Sequence, residues 1–186
     1  MKTARPGGVG TFAIQLAKHL GAHVATTAST KNHALVKSLG ADVVIDYKTT
    51  RFEEVARDQD VVFDTQGGET LLRSFEVVKP GGVVVTIGGR PDAKFARAWG
   101  LSLPLVWILG LLNRRVDRLA RKGRVRFEYV FMRASGEQLE RLGALVEQGV
   151  IKPVVDKIFL FDAAAEAISY VESGRAVGKV VIRVAD

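Results

Sequence analysis

Apolar positions along this chain switch repeatedly between a helical period and short continuous runs. Residues 10–20 place Phe12, Ala13, Leu16, Ala17 and Leu20 at helical spacing. Residues 23–28 are short and β-branched and predict a strand. The alternation continues with a predicted helix over 30–39, capped by Ser29 or Thr30 and closed by Gly40. A strand over 43–45, an amphipathic stretch over 52–57, a strand over 60–64 and a helix over 69–78 follow. Lys79-Pro80-Gly81-Gly82 predicts a turn before a strand over 83–87. Strands that are apolar on both faces and separated by helices require a parallel sheet covered on both sides, with right-handed crossovers. The expected fold class is therefore α/β, a doubly wound parallel sheet.

Beyond residue 92 the pattern loosens. A long helical region is expected over 94–122 with a break at Pro104, then a strand over 126–131. Ser135 and Gln138 have the spacing of a capping box and open a helix reaching to about 148. A strand over 153–161, a helix capped by Asp162 and running to 173, and a last strand over 179–184 complete the chain. There is no repeat, linker or low-complexity segment.

With 186 residues, 47% of them apolar, the chain has the material for one well-buried core. It has no cysteine, which excludes disulfides and thiolate chemistry and fits a cytoplasmic location. Residues 1–6 have no apolar core and form no signal peptide. The longest apolar run, 101–112, contains Pro104 and falls short of the ~20 residues of a membrane span; no span is expected. The net charge of +7 is concentrated in one place. Between residues 113 and 126, Arg114, Arg115, Arg118, Arg121, Lys122, Arg124 and Arg126 face a single acid, Asp117. The rest of the chain is nearly neutral, so a nucleic-acid partner is not expected. The segment reads as a solvated helix face, with an anionic partner or membrane surface as the alternative.

Gly7-Gly8-Val9-Gly10 stands directly before the first predicted helix. Glycines there let a diphosphate approach the backbone, and the helix start offers N–H groups and partial positive charge. Any strand-to-helix turn can also use glycine. An apolar strand should lead into such a turn, but residues 1–6 read as no strand, and Arg5 takes the first place of the G-x-G-x-x-G frame. The expectation is that the sheet lacks its first strand, either because the start of the gene is wrong or because the protein is a truncated relative. After the next strand, where NAD-selective proteins carry an acid for the ribose hydroxyl, the chain has Ser29 and Lys31. A hydroxyl and an ammonium suit a 2′-phosphate, which Tyr47 could cover; alternatively Ser29 caps the helix and Lys31 is solvated. Thr65, in Asp64-Thr65-Gln66-Gly67-Gly68, and Ile87 and Gly88, in Ile87-Gly88-Gly89, lie at carboxyl ends of strands, where open sheets bind ligands.

No metal site is expected. His19 and His23 flank a helix end and a strand and share no face, and His33 lies in the next helix. No Ser-His-Asp arrangement is visible. A methyltransferase dependent on S-adenosylmethionine also uses a motif like Val77-Val78-Lys79-Pro80-Gly81-Gly82, but it needs an acid where Ser29 and Lys31 stand.

Residues 7–18, Leu39-Gly40-Ala41-Asp42, Asp46-Tyr47, residues 64–68, 79–82 and 174–181 together resemble the medium-chain dehydrogenase/reductase superfamily. The similarity is greatest to its zinc-free quinone oxidoreductase branch, whose members are often labelled zinc-binding dehydrogenases. The resemblance implies a Rossmann-like domain over 1–134, with an insertion at about 94–126, and a segment 135–186 returning to a catalytic domain that is not in this chain. It implies NADP(H) held over Gly8 to Gly10 and near Ser29, Lys31 and Tyr47, with Phe131, Met132 and Lys179 toward the nicotinamide. It further implies hydride transfer to a quinone, enone or related carbonyl, and a homodimer. The alternative is a non-catalytic nucleotide-binding or interaction module.

Overall fold

The computed structural model describes residues 2–3 and 7–185. Its first half runs β1 (Lys2–Thr3), α1 (Gly8–His19), β2 (Ala25–Ala28), a 3₁₀ turn (Thr30–Asn32), α2 (His33–Ser38), β3 (Val43–Asp46), α3 (Phe52–Val55), β4 (Gln59–Asp64), α4 (Gly68–Ser74) and β5 (Val78–Thr86). Three helices follow: α5 (Ala93–Ala98), α6 (Leu103–Leu112) and α7 (Arg114–Gly123). Then come β6 (Arg126–Tyr129), α8 (Gly136–Glu147), β7 (Val155–Leu160), a second 3₁₀ turn (Phe161–Ala163), α9 (Ala164–Glu172) and β8 (Lys179–Arg183).

Six strands form one parallel sheet in the order β3-β2-β1-β4-β5-β6. This is the order of the doubly wound dinucleotide fold. β7 and β8 pair in parallel as a separate two-stranded sheet. The strands of the large sheet point their alternate residues to opposite faces. On β3, Val43 and Ile45 join a cluster with Phe52, Val62, Leu71, Phe75, Val84 and Val116, while Val44 packs with Ile14, Ala17, Val24, Ala28 and Val36. Both faces are covered, as apolar runs without a polar face require.

Four expectations are corrected. Residues 1–6 do contribute a strand, so the sheet does not lack its first one. Lys2–Thr3 pair with Ala25 and Thr26 of β2 on one side and with Val62 and Phe63 of β4 on the other. Two residues carry no readable period; their place follows from the unpaired backbone edges of the neighbouring strands, which need partners when buried. Arg5, expected in the first glycine place, lies outside the described residues. The helix expected over 69–78 stops at Ser74, and the expected turn at 79–82 lies within β5, whose register with β4 slips between Gln59 and Val61. Gly81 takes φ +85° there and donates its N–H to the Arg124 carbonyl, so the Pro-Gly-Gly sequence makes an irregular strand rather than a reversal. The region 94–122 is three helices, and Pro104 stands in the first turn of α6, where its missing N–H costs nothing. The chain breaks instead at Gly100, which takes φ +66°. Asp162 falls inside a 3₁₀ turn, and α9 begins without a side-chain cap. Ser135 does cap α8, accepting from the Gln138 N–H at 3.3 Å.

The shared Leu39-Gly40-Ala41-Asp42 sequence has a structural purpose. The Asp42 carboxylate accepts from the Val24 N–H at 2.6 Å and from Lys18 Nζ at 3.0 Å, tying the end of α1 to the entry of β2. The Val24 N–H first, and the Lys18 ammonium next, hold its pKa below the ordinary carboxylate value. A depressed folded-state pKa adds stability above the unfolded value of about 4 and loses it as pH falls through the folded one. Asp42→Asn is therefore expected to lower stability by about 1 kcal/mol at neutral pH. The deficit should shrink on acidification below about pH 4. Denaturant melts at pH 7 and pH 3 check this; a deficit unchanged between the two would contradict it.

Candidate functional site

The loops that follow the parallel strands converge at the carboxyl edge of the large sheet, where open sheets of this kind take their ligands. They line a cleft of about 650 Å³. Gly7, Gly8, Val9 and Gly10 follow β1; Ser29, Lys31 and Asn32 follow β2; Tyr47 and Lys48 follow β3. Thr65 and Gln66 follow β4, and Ile87 follows β5. Residues 173–177, between α9 and β8, form the facing wall. Among the described residues that line it, three are cationic, Lys31, Lys48 and Arg175, and none is acidic.

At the glycine turn, Gly7 is the N-terminal flank of α1, with no side-chain cap and no acid in the first turn. The start of this helix therefore keeps its positive end toward the cleft without local neutralisation. Thr11 Oγ1 donates to the Gly8 carbonyl at 3.2 Å, and the Thr11 N–H donates to the Gly7 carbonyl at 3.1 Å, fixing the turn. A Cβ on Gly8 would stand 3.4 Å from the Gly178 carbonyl and 3.5 Å from Lys179 Nζ, ordinary contact distances, so the facing wall lies directly against the glycine turn.

Ser29 is buried and flanks the 3₁₀ turn without making a capping hydrogen bond, so its hydroxyl is not taken up by the helix end. Asp46 holds this corner together: its carboxylate accepts from the Thr30 hydroxyl and from the Lys48 N–H. Those two bonds, the Thr30 hydroxyl first, lower its pKa and keep it ionised. Lys31 and Lys48 thus stand on loops clamped to one another.

The ends of β4 and β5 are locked by a buried carboxylate. Asp64 accepts from Thr86 Oγ1 at 2.7 Å, from the Gly67 N–H at 2.8 Å and from the Gln66 N–H at 3.3 Å. The same Thr86 oxygen accepts from the Gly88 and Gly89 N–H groups at 3.2 and 3.1 Å. Gly67 takes φ +69°, and a Cβ on it would collide with the Gly88 carbonyl, so the two loops touch backbone to backbone. This packing sets where Thr65 and Ile87 meet the cleft.

The facing wall is anchored from two directions. Asp156 on β7 accepts from the Tyr170 hydroxyl at 2.8 Å and the Val177 N–H at 3.1 Å, and this bond raises the Tyr170 pKa. The Lys179 N–H donates to the Val154 carbonyl at 2.7 Å. Gln15, buried on α1, donates to the Lys152 carbonyl at 3.1 Å and accepts from the Lys152 N–H at 2.8 Å. The helix that opens at the glycine turn is thereby tied to the segment entering β7.

Of the thirteen residues singled out from sequence, Gly7, Gly8, Val9, Gly10, Ser29, Lys31, Tyr47, Thr65 and Ile87 line this cleft. Gly88 lies one residue behind the wall, in the Thr86 network. Lys179 sits beside the glycine turn, its ammonium 5.6 Å from the centre of the Phe12 ring. Phe131 and Met132 do not line the cleft: Phe131 packs against Trp99 and Phe95, at 5.3 and 5.6 Å between ring centres, and Met132 is exposed. Asn32, Lys48, Gln66 and residues 173–177 line it without having been singled out. Lys48 directly follows Tyr47 past the end of β3, a cation whose place the sequence alone shows. The 173–177 wall had no local signal beyond its place in a shared motif.

Residues 39–182 match the zinc-binding dehydrogenase family. The chain is 36% identical over 183 residues to the mitochondrial NAD(P)H oxidoreductase RTN4IP1 of Danio rerio, covering 96% of this chain and 47% of that one. It is 39% identical over 181 residues to 2-methylene-furan-3-one reductase of Solanum lycopersicum, covering 95% of this chain and 38% of the relative. Among solved structures it superposes on the quinone oxidoreductase of Coxiella burnetii with a TM-score of 0.78 at 30% identity, over 99% of this chain and 52% of that one. The chain spans about half or less of the length of the relatives it matches.

Proposed function

Since the chain belongs to the zinc-binding dehydrogenase family, we propose that it is the cofactor-binding half of an NADPH-dependent reductase acting on a quinone, enone or related carbonyl. The observation that carries this reading is the cleft at the carboxyl edge of the sheet, opened by an uncapped glycine turn and lined, among the described residues, by three cations and no acid. Such a lining fits a dianionic diphosphate with one further phosphate.

The residues fit the dinucleotide in a simple division of work. Gly7 to Gly10 and the α1 start would hold the diphosphate, and Ser29, Lys31 and Tyr47 the 2′-phosphate. Thr65, Ile87 and Gly88 would set the depth of the nicotinamide half. Bound NADPH supplies the hydride, and the protein orients it and excludes water. Zinc is a different matter. The sequence has no cysteine, and among the described residues no three His, Asp or Glu side chains converge on a point, so these residues do not form the ligand set that the family's name implies. The same proposal places the protein in the cytoplasm as a homodimer, supported by the absence of cysteine and by the resemblance of its motifs.

Titration with NADPH and NADH, read by thermal shift, tests the reading. Stabilisation by NADPH well above that by NADH is expected, since only a ligand bound by the folded chain raises its melting temperature. Lys31→Ala is expected to weaken NADPH about tenfold, one charge-assisted phosphate contact, while leaving NADH within twofold. Equal losses for both cofactors would remove Lys31 from the 2′-phosphate site. No response to either cofactor in a folded sample would favour the alternative, a non-catalytic interaction module.

A further inference from the structure

One surface has no part in the cleft. Helix α6, Leu103–Leu112, carries no charged residue and turns nearly all its side chains outward. Leu103, Leu105, Trp107, Ile108, Leu111 and Leu112 are exposed, Trp107 at 78%. The helix is held from beneath by the buried Val106 and by Gly110, where a Cβ would lie 3.6 Å from that of Ala93. Folded chains rarely leave so continuous an apolar face in water. Trp99, at the C-terminal cap of α5, is also exposed, so both tryptophans of the chain belong to this region.

The next helix has the opposite character. α7, Arg114–Gly123, turns Val116 into the core with Leu119 and Ala120 packed beside it. Its exposed side chains include Arg114, Arg118, Arg121 and Lys122. Among the described residues, Arg115 bonds the Glu69 carboxylate, and no other cation of the segment 113–126 is paired with a carboxylate side chain. Asn113 fixes the joint between the helices: its Nδ2 donates to the Pro91 carbonyl at 2.8 Å and to the Leu109 carbonyl at 2.9 Å. The apolar helix and the cationic helix are therefore joined directly at one buried, hydrogen-bonded residue.

We propose that α6 and α7 dock this protein onto an anionic membrane surface, α6 lying in the headgroup boundary and the α7 cations against lipid phosphates. The ten residues of α6 extend about 15 Å, half the ~30 Å hydrocarbon thickness, so the helix lies in the surface rather than crossing it. Among the described residues no helix is long and apolar enough to cross. Exposed tryptophans favour the boundary, where an apolar ring and an N–H are both accommodated. Charge selects lipid over a second copy of this chain: self-pairing through α6 would bring together two segments that each carry an excess of six positive charges. This inference is independent of what the cleft binds.

The two tryptophans report the event directly. With vesicles of phosphatidylcholine containing one part in three phosphatidylglycerol, the full chain is expected to show blue-shifted tryptophan emission and to co-sediment. Both effects should be lost at 0.5 M salt and absent with phosphatidylcholine alone. Replacing Arg114, Arg118 and Lys122 together with glutamine is expected to weaken binding about a hundredfold, at roughly fivefold per cation near an anionic surface. Leu111→Ser with Ile108→Ser should leave the salt-sensitive attraction but remove the blue shift. If a variant does not fold, the salt and lipid series on the unaltered chain decides alone. The proposal is overturned if anionic vesicles cause no shift or co-sedimentation. It is equally overturned if sedimentation equilibrium shows a dimer that the serine variant dissociates while vesicles stay unbound.

Discussion

Asp64→Ala is expected to lower the stability of the chain by about 3 kcal/mol, the range for removing one partner from a buried, hydrogen-bonded charged network. The carboxylate is buried to 1% exposure and accepts from Thr86, Gly67 and Gln66 together. Its loss strands a hydroxyl and two backbone N–H groups in a place water does not readily reach. Thr86 in turn positions the Gly88 and Gly89 N–H groups, so the ends of both β4 and β5 lose their tie. Asp64→Asn should be less damaging but still costly, because its amide NH₂ would face a donor. Urea unfolding of both variants measures the effect. A loss under 1 kcal/mol for alanine would mean that the loops rest on packing rather than on this network.

The second large effect is expected at Gly178. This residue takes φ +108°, a conformation that L side chains rarely adopt, and a Cβ on it would collide with the Val154 carbonyl. Backbone strain and the collision together place Gly178→Ala about 3 kcal/mol below the parent in stability. The displaced segment is the wall of the cleft that carries Arg175, so the NADPH binding proposed for the cleft should weaken more than the unfolding midpoint alone would suggest. Thermal shift at saturating NADPH, compared with the unliganded melt, separates the two contributions. An alanine variant of unchanged stability and unchanged cofactor response would show that the segment can refit without its left-handed turn.

Much of the fold was legible in the chain because its signals are local. The β-branched run over 23–28, the helical spacing of Phe12, Leu16 and Leu20, and the Ser135 cap each depend on residues a few places apart, and each appears in the structure within a few residues of its expected bounds. Local rules failed where the partner was distant. Lys2–Thr3 form a strand only because β2 and β4 leave a gap between them. The Pro-Gly-Gly of β5, a turn signal by itself, is drawn into a strand by pairing with β4 and by the Arg124 carbonyl. Phe131, singled out by resemblance rather than by a local rule, packs into the aromatic group of Phe95 and Trp99.

The candidate site divides along the same line. The sequence by itself determined the class of fold, the glycine turn before α1, and the missing acid after β2, because composition, period and turn chemistry act over a handful of neighbours. Only the tertiary structure decided that residues 173–177 face Gly7 to Gly10 across one cleft, that Gln15 grips Lys152, and that Lys48 and Arg175 join Lys31. Those contacts join positions up to 137 residues apart in the hydrogen bonds of Gln15. Nothing in the local pattern encodes such a distance; it is set by the path of the chain, which the parallel sheet fixes only when every strand has found its neighbours.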